Sequence, residues 1–97
     1  MSTITTPYEL NQGHTHSPFV TFETTKVHAS WPWHAVQAIH ITPDKTLLTF
    51  EFVRHSVELT GENLGIIENE ARTTRLKTLR EGSCAGVTVR SLRLIGV

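Results

Sequence analysis

An internal disulfide bond is the first thing this chain cannot build. Among 97 residues there is one cysteine, Cys84, which leaves no second thiol to pair with. Small secreted domains usually lean on several disulfides, so a reducing, cytoplasmic setting is expected. Excess charge is absent too: nine Lys and Arg balance nine Asp and Glu, for a formal net charge of zero. That balance gives the whole molecule no pull toward nucleic acid or an anionic membrane. It also removes a common guard against self-association. The start of the sequence lacks a basic region followed by an apolar one, so no signal peptide is expected. No run approaches the roughly 18 apolar residues of a membrane helix. A phosphate-cradling glycine loop, a nucleophile elbow and a paired-carboxylate motif are all missing, so neither catalysis nor a cofactor is expected.

What is present suits one small folded unit. Hydrophobic residues make up 38% and charged residues 19%, which is apolar enough for a core and too weakly charged for a disordered chain. Residues 1–17 are polar and rich in threonine, with Pro7 and Gly13 as punctuation, and read as an N-terminal arm. Residues 18–97 read as a single β-rich domain.

Phe19 to Thr25 is dense in β-branched and aromatic residues, a strand composition that Lys26 to Ala29 extends. Pro32 removes a backbone donor and fixes φ, so a strand break or corner is expected at Trp31-Pro32-Trp33. Val36 to Ile41 alternates, as does Leu47 to Val53, and Pro43-Asp44 between them is good turn chemistry. The pattern predicts an antiparallel hairpin. His55 to Leu59 predicts a third alternating strand, which Gly61 interrupts. Leu64, Ile67 and Ala71 then fall at i, i+3 and i+7, predicting a helix over about 62–72 capped by Thr60 or Asn63. Residues 75–80 read as a short edge strand or a frayed helical extension, and Gly82 to Gly86 as a small-residue loop. In the last strand Val87 and Val89 share one face and Leu92 and Leu94 the other, so a bulge near Ser91 is expected to restore the phase.

The expected fold class is therefore α+β: a small antiparallel β-sheet of five to six strands with the one short helix on one face. Its predicted core is Phe22, Ile39, Ile41, Leu48, Phe50, Phe52, Val57, Leu59, Leu64, Ile67, Val89 and Leu94.

Three groups of residues are candidates for chemistry. Trp31, Trp33 and His34 surround a rigid proline; the indoles either cap the core or form a platform for a protein partner. His14 and His16, at i, i+2 in an extended segment, project to one side as half of a metal site, the only close pair among six histidines. Arg72, Arg75, Lys77 and Arg80 open a stretch to Val97 that holds six cations and one acid, Glu81, and are phosphate-binding candidates. Glu58, Glu62, Glu68 and Glu70 stand upstream as possible ion-pair partners, and no nucleic-acid motif accompanies the cations. The leading expectation is a non-enzymatic interaction or accessory module with a protein partner or a second copy of itself. A histidine metal site is second, and phosphate or nucleic-acid binding third.

Overall fold

β-Branched and aromatic residues at alternate positions make strands the dominant element. The computed structural model describes residues 6–11, 13, 16–84 and 86–96. Among these the order is β1 (Tyr8–Leu10), β2 (Phe19–Glu23), β3 (His28–Pro32), β4 (Ala38–Ile41), β5 (Leu47–Glu51), β6 (Ser56–Glu62), α1 (Gly65–Arg72), β7 (Leu76–Arg80), β8 (Gly82–Cys84) and β9 (Val87–Ile95), with a 3-10 turn at Trp33–Ala35. The expected single sheet is instead two: four strands in the order β1-β7-β2-β3 and five in the order β4-β5-β6-β9-β8. The five-stranded sheet is antiparallel throughout, whereas β2 and β7 run parallel in the other.

The predicted hairpin forms, with Ile39 opposite Phe50 and Ile41 opposite Leu48. Its turn is stabilised by a local network. The Asp44 Oδ1 accepts from the Thr42 and Thr46 hydroxyls, each at 2.7 Å, and Thr42 Oγ1 accepts from the Leu47 N–H at 3.2 Å. These bonds hold the Asp44 carboxyl below its ordinary pKa, with the Thr42 hydroxyl the leading cause. The β6 strand follows through a short turn and places Val57 and Leu59 in the core.

Two inserted residues set the phase of the long pairings. Thr60 pairs with Ser91 but Gly61 pairs with Val89, so Arg90 is the extra residue of a bulge in β9. The expected slip near Ser91 is thereby repaired, and Val87, Val89 and Leu92 are all buried. Gly61 is required here because a Cβ on it would lie 1.8 Å from the Thr88 carbonyl oxygen. Gly61 therefore sits inside β6, where the sequence pattern suggested a break. In the other sheet Glu9 pairs with Thr78 and Leu10 with Leu76, so Lys77 is extra in the same way. This bulge turns Leu76 and Leu79 to one face although they are three apart, a spacing that otherwise suits a helix.

Several boundaries differ from expectation. Lys26 and Val27 do not extend β2: the Thr24 Oγ1 accepts from both their N–H groups, making a tight turn into the antiparallel β3. The helix starts at Gly65 rather than 62, because β6 runs to Glu62 and Asn63 then turns at φ 56°. Neither Thr60 nor Asn63 caps it; the Asn63 Nδ2 donates to the Gly86 carbonyl at 2.6 Å. Residues 75–80 form an interior strand, not an edge, and Gly82–Cys84 pairs with β9 instead of looping. Within the segment expected as an arm, Tyr8–Leu10 forms β1 against β7, and Ser17 is buried.

The two sheets share one core. Phe22 of β2 meets Phe50 of β5 at a ring-centroid distance of 5.5 Å, and Leu48, Leu59, Leu64, Ile67, Leu76 and Leu79 are fully buried around them. Helix α1 contacts β4 of one sheet and β7 of the other, a bridging position rather than the face of one sheet. Of the predicted core, Ile39, Ile41 and Leu94 lie at its margin, and Val20, Trp33, Ala71, Leu76, Leu79, Val87 and Leu92 are core members beyond that prediction. No helix among the described residues is long and apolar enough to cross a membrane.

Candidate functional site

Pro32 ends β3 and divides the two indoles. The strand before it carries Trp31 at the margin of the core, while the 3-10 turn after it sends Trp33 inward. Trp33 is only 8% exposed, and its Nε1–H donates to the Leu76 carbonyl at 3.1 Å, tying this turn to β7. Its role is packing. His34 is exposed and lies outside this cluster.

Trp31 has a different environment. Its ring is 5.9 Å from Phe22, 5.1 Å from Phe52 and 4.4 Å from His55. His55 in turn stacks on Phe52 at 4.5 Å with an interplanar angle of 8°. The imidazole is thus set among aromatic faces, and its Nε2 is buried with no hydrogen-bond partner among the described residues. Trp31 belongs to the four-stranded sheet, whereas Phe52 and His55 flank the β5–β6 turn of the five-stranded one. In that turn Val53 is 74% exposed, and Ile95, which lies opposite Ser56 at the end of β9, is 37% exposed. The half-buried indole, Val53 and Ile95 mark an apolar end where the sheets meet. Val53 and Ile95 were not singled out from sequence, since isolated residues in a turn and at a strand end carry no periodic signal.

The six cations from Arg72 onward are dispersed, and four of them are in ion pairs. Arg72 binds Glu68 at 2.8 Å and donates to the Ile39 carbonyl, Arg75 binds Glu70 at 3.2 Å, and Arg90 binds Glu62 at 2.6 Å. Arg80 lies between Glu9 and Glu23, and these carboxylates raise its already high pKa, Glu9 first. Lys77 is exposed and makes no ion pair among the described residues. Three of the four phosphate candidates therefore already have acidic partners, and exposed pairs of this kind contribute little individually.

His14 lies outside the described residues. The His16 Nδ1 is 2.5 Å from the Thr74 hydroxyl, a bond that joins the segment before β2 to the end of α1. Among the described residues no group of three or more His, Cys, Asp or Glu is placed to hold a metal ion. The Nε2 of His40 meets Glu51 at 2.5 Å across β4 and β5, and Cys84 lies opposite Val87 on the short β8. Among the described residues, the histidines, tryptophans and cysteine converge only at Trp31 and His55. Comparison with protein-family models, with curated proteins and with solved structures returns no match to this chain.

Proposed function

We propose that the protein is a non-enzymatic interaction module that self-associates through its apolar end. The observation that carries this reading is Trp31 held half-buried on Phe52 and His55 beside the largely exposed Val53. Tryptophan is favoured at interface centres, because a large rigid ring loses little entropy on contact. Covering such apolar surface contributes about 25 cal/mol per Å² removed from water. The zero net charge leaves no long-range repulsion between copies to oppose that gain. The single thiol of Cys84 suits work in the cytoplasm, where disulfides are rare.

Light scattering across micromolar concentrations tests the proposal. The native protein should show a dimer or larger species, and Val53→Asp should shift the mass to that of one chain without altering the circular dichroism. A concentration-independent monomer for the native chain would contradict it.

A further inference from the structure

We propose that the open edge of β9 takes up an extended, acidic segment of a partner protein as an added strand. The β8 strand pairs with β9 only at Val87, Thr88 and Val89, while β9 continues to Ile95 with β6 on its other side. Among the described strands, the edge from Ser91 onward therefore has one neighbour. The Leu92 N–H points away from β6, since it donates to the Glu81 Oε2 at 3.2 Å. In an antiparallel ladder alternate residues direct their backbone groups to the same side, so Leu94 faces the open edge as well.

Other sheet edges are guarded. β1 and β8 are three residues long, β1 also pairing across the bulge at Lys77, β3 ends in Pro32, and the Arg72 guanidinium occupies the Ile39 carbonyl of β4. Short edges, prolines, bulges and charged covers are the usual means of preventing strand addition. From Ser91 to Ile95 β9 contains no proline, and its bulge lies before this stretch. The Glu81 carboxylate on the Leu92 N–H is a cover that the carbonyl oxygen of an added strand displaces.

Beside this edge a groove of about 450 Å³ runs to the β2–β3 turn, lined by Thr25, Lys26, Val27, Glu81, Arg93 and Leu94. Neither Lys26 nor Arg93 is in an ion pair among the described residues, unlike Arg72, Arg75, Arg80 and Arg90. Val27 and Leu94 add an apolar lining to the same groove. Strand addition uses main-chain bonds for affinity and the flanking side chains for choice of partner. A segment alternating apolar and acidic residues fits this groove. A second copy fits it less well, because pairing Leu92 with the copy's Leu94 sets the two Arg93 side chains opposite one another.

The test is fluorescence anisotropy with a labelled peptide of alternating valine and glutamate, about six residues long, a usual strand length. It should bind the native protein, weaken with added salt, and lose at least about tenfold in affinity to Lys26→Glu combined with Arg93→Glu. N-methylation of alternate peptide amides should abolish binding to the native protein, a result independent of how the double variant folds. The two surfaces share only Ile95 at the end of β9; Val53 lies in the β5–β6 turn, across β6 from the open edge, so Val53→Asp should bind the peptide unchanged and this proposal and self-association fail separately. No binding by the native protein at about 1 mM peptide, equal binding of a valine–lysine peptide, or indifference to N-methylation would overturn the inference. So would a lowered oligomeric mass of the Lys26→Glu, Arg93→Glu protein, which would place a second copy at this edge.

Discussion

In the five-stranded sheet, β4, β5 and β6 follow one another through short turns, and β8 and β9 form a further hairpin. In the four-stranded sheet only β2 and β3 are joined that way. Its interior strand β7 sets Leu79 opposite Tyr8 on one side and Phe22 on the other, so both neighbours come from the far end of the chain. One sheet is largely a product of local pattern, and the other closes only when distant segments meet. Loop-closure entropy opposes the second kind of pairing until native contacts offset it. The four-stranded sheet consequently depends on the core and on a few cross-chain ties, most visibly Arg80, which donates to Glu9, Glu23 and the Thr6 carbonyl.

The strongest challenge to this contrast is the aromatic contact that joins the sheets. Phe22→Ala removes rings' worth of contact with Trp31, Phe50 and Phe52 and should cost about 3–5 kcal/mol. Urea unfolding monitored by circular dichroism and by tryptophan fluorescence should remain coincident. Separate transitions would mean that the sheets fold independently. Smaller in effect, Arg80→Met should cost about 1–2 kcal/mol, because it unties β1, β2 and β7 together and leaves the half-buried Glu23 unpaired. Amide exchange should accelerate in β1 and stay unchanged in β4 and β5.

Much of this contrast is already present in the legibility of the sequence. The β4–β5 hairpin, the β6 alternation and the Leu64, Ile67, Ala71 face are local patterns, and each forms as expected. The bulge in β9 was also legible, because the phase of four apolar residues fails without it. β7 was ambiguous for the opposite reason: Leu76 and Leu79 share a face only through Lys77, and the partner that creates this bulge lies almost seventy positions away. Nor does Tyr8-Glu9-Leu10 have enough length to signal a strand. At the surface, Glu62, Glu68 and Glu70 were foreseeable partners for nearby cations, whereas Glu9 and Glu23 reach Arg80 only through the fold. The Trp31 end was half visible. The indole stood out, but its setting depends on a turn from the other sheet.

Two milder changes sharpen the comparison at the junctions. Helix α1 ends in a Schellman arrangement, with the Thr74 N–H bonded to the Ala71 carbonyl and the Arg75 N–H to that of Glu70. Thr74 occupies the left-handed position at φ 56°, normally a glycine site. Thr74→Gly relieves roughly 1–2 kcal/mol of backbone cost but surrenders the His16 bond and adds unfolded-state entropy, for a net gain of about 0.5 kcal/mol in thermal unfolding. The smallest effect belongs to Asp44. Its carboxyl pKa is lowered in the folded state, so its contribution is present above the unfolded value of about 3.9 and lost as pH falls through the folded value. Asp44→Asn should flatten that acid-side decline in stability, measured by urea titration between about pH 2 and 5.

Native-state hydrogen exchange at two protein concentrations tests the account most directly. The amides of β5 and β6 should be the slowest, β1 should open locally well before them, and protection at Trp31 and around Val53 should rise with concentration as copies cover the apolar end. Uniform protection of β1 and β5, with no dependence on concentration at Trp31 or Val53, would contradict both the contrast between the sheets and the role proposed for their junction.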